Sequence, residues 1–194
     1  MSVDSSGGMP RAATLAAIMD SAHTTIRTLL GVTTVPDLEM VTDVYTTRRV
    51  VRRPEQESTL LGGLARHGDD GPFWEVGLPD TNDWVRLILH RYLDQPVDPA
   101  GLTDDEGDLW LHPCLGCDPM RTGVAMALSV GLALGAALVG GGRFSTQLTV
   151  WRDDLADPAQ VIAETSVSPT DQPFRDACIR YMDQFPGSKP GLSW

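Results

Sequence analysis

Two cysteines separated by two residues, with a histidine just upstream, stand in the run Leu109-Trp-Leu-His-Pro-Cys-Leu-Gly-Cys117. Two chemistries use this pattern. At a helix N-terminus the free amides and the helix dipole stabilise thiolate, so a CxxC placed there makes a redox pair. Alternatively, His112, Cys114 and Cys117 supply three ligands of the kind a zinc ion takes. The plainer reading is that both cysteines are small buried residues in a turn ahead of the following helix. A thioredoxin-like pair also needs an upstream βαβ unit, and no such alternation precedes Cys114.

The spelling Pro113-Cys-Leu-Gly-Cys117 before a helix resembles the PCxxC half of the zinc-dependent nucleoside deaminases. The resemblance covers five residues and implies a zinc held by Cys114 and Cys117. Those enzymes also use an H-x-E on an earlier helix, where the His completes the zinc site and the Glu shuttles protons. Here His67 is followed by Gly68 and Asp69, and His90 by Arg91 and Tyr92, so that half is missing. A structural zinc with His67 or His90 as a distant fourth ligand stays open, and spacing selects neither.

Other reactive residues read as structure. Cys178 lies on the apolar face of the last helix, the position of a core thiol. His23 borders the apolar face of the first helix. Arg48, Arg49, Arg52 and Arg53 form a basic cluster before Pro54. Such a cluster either clamps an acidic group with its guanidinium forks or, more plainly, is a solvated edge that blocks strand addition. The sequence contains no P-loop, GxGxxG, GxSxG or HExxH, and its acidic clusters lack EF-hand spacing. The reading therefore leans away from an enzyme and names no catalytic residue or cofactor, zinc being the alternative.

What remains is acid beside aromatic. The chain has 194 residues with 15 Lys and Arg against 26 Asp and Glu, a net charge of -11, which repels nucleic-acid phosphates. Several of its tryptophans sit next to carboxylates. In strands a Trp is most often core. An exposed Trp ringed by acids, however, suits a basic protein partner, the ring anchoring and the charges steering. The candidate contacts are Trp74 and Trp84, the turn acids Asp80 and Asp83, and the loop acids Asp104, Asp105, Glu106 and Asp108. The expected function is a non-enzymatic protein-binding protein with a basic partner, as an immunity or antitoxin-type inhibitor would be.

The elements that must position these residues follow from periodicity. Residues 10–30 carry apolar positions at helical spacing, with Gly31 as the stop. Residues 38–47 and 58–65 read as strands. Residues 73–78 and 84–93 read as a hairpin around the turn 79–83, with Val85, Leu87 and Leu89 on one face and Trp84, Arg86, Ile88, His90 and Tyr92 on the other. A loop over 94–108 precedes a short strand at 109–112. Residues 122–142 contain no charge, and 131–135 have the small-xxx-small spacing of packed membrane helices. Their alanine and glycine content favours a buried helix over a membrane span. Residues 144–151 alternate as a strand, 157–165 fit either state, and 174–185 follow helical spacing behind Pro173. The expected fold is a single α+β domain over 10–185, a mixed or antiparallel sheet packed by an N-terminal helix, a buried central helix and a C-terminal helix.

Residues 1–9 are polar and read as a disordered lead without signal-peptide character, and 186–194, rich in Pro and Gly, as a tail. Three cysteines do not make a secreted disulfide framework, so a cytoplasmic setting is expected. Fourteen of the 15 basic residues are Arg, a bias that a GC-rich bacterial genome produces.

Overall fold

Six strands form one antiparallel sheet: β1 (Ser5–Gly8), β2 (Glu39–Asp43), β3 (Phe73–Gly77), β4 (Trp84–His90), β5 (Cys114–Pro119) and β6 (Phe144–Thr146). They lie side by side in the order β2-β3-β4-β5-β1-β6. Four helices, α1 (Leu15–Leu30), α2 (Gly123–Gly140), α3 (Pro158–Thr165) and α4 (Phe174–Met182), pack on the sheet and on one another. The fold is thus α+β with an antiparallel sheet, as expected. It is a computed structural model describing residues 4–11, 13–43, 73–90, 114–146 and 156–185. The predicted strands at 58–65 and 109–112, the loop 94–108, the arginine cluster at 48–53 and the tail at 186–194 lie outside them.

The helices begin and end where local chemistry allows. Thr14 and Thr122 cap α1 and α2, each hydroxyl accepting a bond from the amide three residues on, Ala17 at 3.1 Å and Ala125 at 3.0 Å. Both helices stop at a left-handed glycine, Gly31 with φ 62° and Gly141 with φ 71°, a conformation that side chains resist. The ambiguous segment 157–165 resolves as α3, because the Asp157 carboxylate accepts from Ala159 and Gln160 and Pro158 occupies the first turn. In α4, Ala177, Cys178, Tyr181 and Met182 turn inward.

α2 is the spine. By length and composition it could cross a membrane, with a mean hydropathy of 2.0, but 83% of it is buried within this fold. α1 crosses it through the small residues of the 131–135 pair: a Cβ at Gly135 would stand 2.6 Å from the Ala22 amide nitrogen, and one at Gly131 would run into the Ile26 side chain. Beneath α2 lies β1, where a Cβ at Gly7 would collide with the Ala133 carbonyl.

That contact corrects the reading of residues 1–9 as a disordered lead. Ser5–Gly8 is an inner strand, paired with β5 on one side and β6 on the other. Gly7 carries no hydrophobic signal because its smallness is what admits the helix. Likewise Cys114 and Cys117 are not in a turn. They lie in β5, hydrogen-bonded between β4 and β1.

The predicted hairpin is present in the register Trp74↔Leu87, Glu75↔Arg86, Val76↔Val85 and Gly77↔Trp84. Alternation then sorts the side chains. Val76, Val85, Leu87, Leu115 and Cys117 face the helices and are buried. Glu75, Trp84, Arg86, Ile88 and Asp118, on the opposite face, are half-buried.

Candidate functional site

The expected contact residues separate into two groups once the turn between β3 and β4 is built. Thr81 organises that turn: its hydroxyl donates to the Leu78 carbonyl at 2.9 Å and accepts from the Asp83 amide at 3.0 Å. The Leu78 amide donates to the Asp83 carbonyl at 3.2 Å, closing the loop. Asp80 sits at φ 57°, a left-handed position that Asp tolerates better than most residues, and it is exposed. The Trp84 ring N–H donates to the Thr81 carbonyl at 2.8 Å. Its indole lies across Gly77, where a Cβ would approach ring atom Cδ2 to 2.8 Å. Trp84 is half-buried and held by that hydrogen bond, and Asp80 is exposed.

Asp83 and Trp74 are buried. Asp83 was expected as an exposed turn acid, but it is only 1% exposed. Its carboxylate accepts from the Thr122 hydroxyl at 2.7 Å and pairs with Arg175 at 3.5 Å. It thus ties the turn to the start of α2 and to α4, a structural duty that satisfies a buried charge. Trp74 is 7% exposed, opposite Leu87 on the helix side of the sheet. Its ring N–H finds no acceptor among the described residues, so the area of the ring, not a polar contact, places it there. Asp104, Asp105, Glu106, Asp108 and His112 lie outside the described residues.

Strand geometry separates the two cysteines. Residues three apart in a strand point to opposite faces, and their Cα atoms stand about 10 Å apart. A disulfide needs less than roughly 7 Å. Cys114 and Cys117 therefore cannot form a bond with each other or share one ion from β5. Both are buried, which also removes the solvent that a thiolate needs. Burial pushes the Cys114 thiol up to about 11. Cys117 is raised as well, by burial first and then by the charges of Cys114 and Asp4. Among the described residues no three His, Cys, Asp or Glu gather to hold a metal. Cys178 is the core thiol expected, raised to about 12 by burial and by nearby Asp83, with Arg175 opposing.

Two features escaped the sequence reading. The first is a row of charge across the outer face, Glu75↔Arg86↔Asp118 in register, with Arg86 3.6 Å from Glu75. Its Arg86 was legible from alternation, but Asp118 was not, because its strand was read as a turn. The second is Met120, which is 48% exposed and whose amide donates to the Trp84 carbonyl at 2.8 Å. A separate polar cleft of about 180 Å³ is lined by Pro10, Gly141, Gly142, Arg143, Asp157 and Pro158. Its acid already caps α3, and it assembles no nucleophile with a base.

No family model, curated protein or solved structure matches the chain.

Proposed function

We propose that the chain is a non-enzymatic binding protein whose partner is a basic protein, the role of an immunity or antitoxin-type inhibitor acting in a bacterial cytoplasm. The observation that carries this reading is the outer face of the sheet at the β3–β4 turn. There the orientationally fixed, half-buried Trp84 stands beside exposed Met120 and Asp80 in a chain of net charge -11. An aromatic that is already oriented loses little freedom on docking, and acids around it speed encounter with a basic surface. Support also comes from the buried thiols, whose raised pKa values disfavour nucleophilic chemistry.

The test is affinity capture from the source cell on the immobilised full chain, followed by elution with rising salt. The expected result is one specific basic protein, released well below 1 M salt and rebinding as a purified pair. Retention of no specific protein, or of acidic proteins only, overturns the proposal.

A further inference from the structure

The turn that ends α2 opens a polar cleft against the start of α3, a space of about 180 Å³ lined by Pro10, Gly141, Gly142, Arg143, Asp157 and Pro158. Glycine shapes it. Gly141 is left-handed, and a Cβ on Gly142 would strike the Gly8 carbonyl and stand 2.8 Å from Pro10 Cδ. The Arg143 carbonyl accepts from the Gly8 amide at 2.8 Å, and Phe144 and Ala156 exchange backbone bonds at 2.9 and 2.8 Å. That bridge is antiparallel, so the next pair along it sets Arg143 opposite Asp157.

Opposite charges facing each other across strands attract, yet these two side chains do not pair. One Asp157 oxygen, Oδ1, accepts from the Ala159 and Gln160 amides at 2.8 and 3.2 Å, which caps α3. Oδ2 accepts no bond, and the Arg143 guanidinium makes no hydrogen bond or ion pair among the described residues. Both residues are exposed. Arg11 brings a second cation: its Nε donates to the Gly140 carbonyl at 3.4 Å, and a Cβ on Gly141 would fall 2.5 Å from one of its terminal nitrogens. Among the described residues it too has no carboxylate partner. In a chain of net charge -11, two guanidiniums thus meet at one cleft with no acid bound to either, beside a single carboxylate oxygen that lacks a donor.

We infer that this cleft binds a small zwitterion of amino-acid size, its oxyanion on Arg143 and Arg11 and its ammonium group on Asp157 Oδ2. Charge decides the class. A plain anion would meet the Asp157 carboxylate and a plain cation the two guanidiniums, whereas a molecule with both charges a few bonds apart satisfies all three groups. The oxyanion is a carboxylate or a phosphate, either of which fits the guanidinium fork. Volume sets the size: drug-sized ligands fill pockets of roughly 300 Å³ or more, and this cleft has about 180 Å³. The site uses none of the residues proposed to meet a protein partner, so it stands or falls separately from that reading.

The experiment follows the Gly141, Gly142 and Ala159 amide resonances of the full chain, labelled with nitrogen-15, during titration with phosphoethanolamine and with γ-aminobutyrate. Inorganic phosphate, acetate and ethanolamine are the single-charge controls. The expected result is a saturable shift of these amides with at least one zwitterion, at lower concentration than with its anion or amine alone, and the zwitterion that acts tells phosphate from carboxylate. Arg143→Gln should weaken that binding about tenfold, the loss of one charge-assisted contact. Asp157→Asn keeps a side-chain oxygen to cap α3, so it should weaken the zwitterion about tenfold and leave the plain anion no weaker. A merely structural Asp157 would weaken both alike. Unchanged amide resonances away from the cleft report that each variant is folded, and the wild-type titrations stand without them. If neither zwitterion gives a saturable shift, the site is overturned. If inorganic phosphate or acetate binds as tightly as its zwitterion and Asp157→Asn changes nothing, the zwitterion is overturned.

Discussion

On its inner face the sheet meets α2 through residues with almost no side chain, whereas its outer face carries a tryptophan, a methionine and a row of charge. Gly7 and Ser5 of β1 lie directly beneath the helix, and the Ser5 hydroxyl reaches Thr146 at 3.1 Å and Ser129 at 3.5 Å. Gly131 and Gly135 then bring α1 equally close on the helix's far side. Nothing in that stack has room to change. Across the sheet, Trp84, Arg86 and Ile88 are half-buried, and their neighbours vary in size and sign. The lesson is that close approach concentrates the tightest packing on the inner face.

The largest expected effect comes from filling the seam. Gly135→Leu places its Cβ 2.6 Å from the Ala22 nitrogen, a backbone atom that cannot swing aside. Such overpacking should cost on the order of 3 kcal/mol or more, read as a lower urea midpoint or loss of soluble protein. Leu138→Ala, on the same helix at a position 38% exposed, should change stability by less than about 1 kcal/mol. Equal effects of the two substitutions would show that α1 and α2 are not held by close approach.

Next in size is the response to alkaline pH, which compares the faces through their thiols. Burial raises Cys114 to about 11 and Cys178 to about 12 from an ordinary 9.0, and raises Cys117 too. Above pH 9 the unfolded chain releases these protons while the folded chain keeps them. The stability is therefore whole below pH 9 and is lost as pH climbs toward the folded values. At pH 10 each thiol should cost on the order of 1 kcal/mol. Urea titrations at pH 8 and pH 10 measure the loss. In Cys114→Ala it should shrink by one thiol's share, since this outer-face residue is only 3% exposed. An unchanged loss would show that the outer face is open at that end as well.

The pattern of legibility follows the same division. α1, α2, α4 and the β3–β4 hairpin were readable because each carries its own signal: helical spacing, an uncharged run, a glycine stop, or alternation around a turn. β1 and β5 were not. Ser5-Ser-Gly-Gly8 and Cys114-Leu-Gly-Cys-Asp-Pro119 become strands because of what lies on either side of them, information held by β4, β6 and α2. The two tryptophans show how far local reading reaches. Trp84 was placed on the face of Arg86 by alternation, and the hairpin register then puts Trp74 opposite Leu87, on the other face. Asp83 looked like Asp80 in the sequence, because its partners Thr122 and Arg175 are 39 and 92 residues away.

That long-range tie is the third prediction. Asp83→Ala leaves the Thr122 hydroxyl without its acceptor and should cost about 2 kcal/mol. Asp83→Asn keeps an oxygen for Thr122 but gives up the charge, and should cost about half as much. Arg175→Ala should cost less than about 1 kcal/mol, because the Arg175 side chain is 63% exposed and the pair is screened. Denaturant titrations of the three variants establish the order. A larger loss in Arg175→Ala than in Asp83→Ala would reverse the assignment of Thr122 as the main partner.

The smallest expected effect decides whether the outer face is free. Glu75 and Arg86 are cross-strand neighbours 3.6 Å apart with partly exposed side chains, so their coupling in a double-mutant cycle of Glu75→Ala and Arg86→Ala should be about 0.5 kcal/mol and should fade with salt. Arg86 also stands opposite Asp118 in register, so a third charge lies next to the pair. A coupling of that size means the row contributes little to folding, so its charges can be reversed to probe a partner without unfolding the protein. A coupling above about 2 kcal/mol that resists salt would instead mark a desolvated pair. The outer face would then be a second core, and a basic partner would have to find its acids at Asp80 and the rim of the turn.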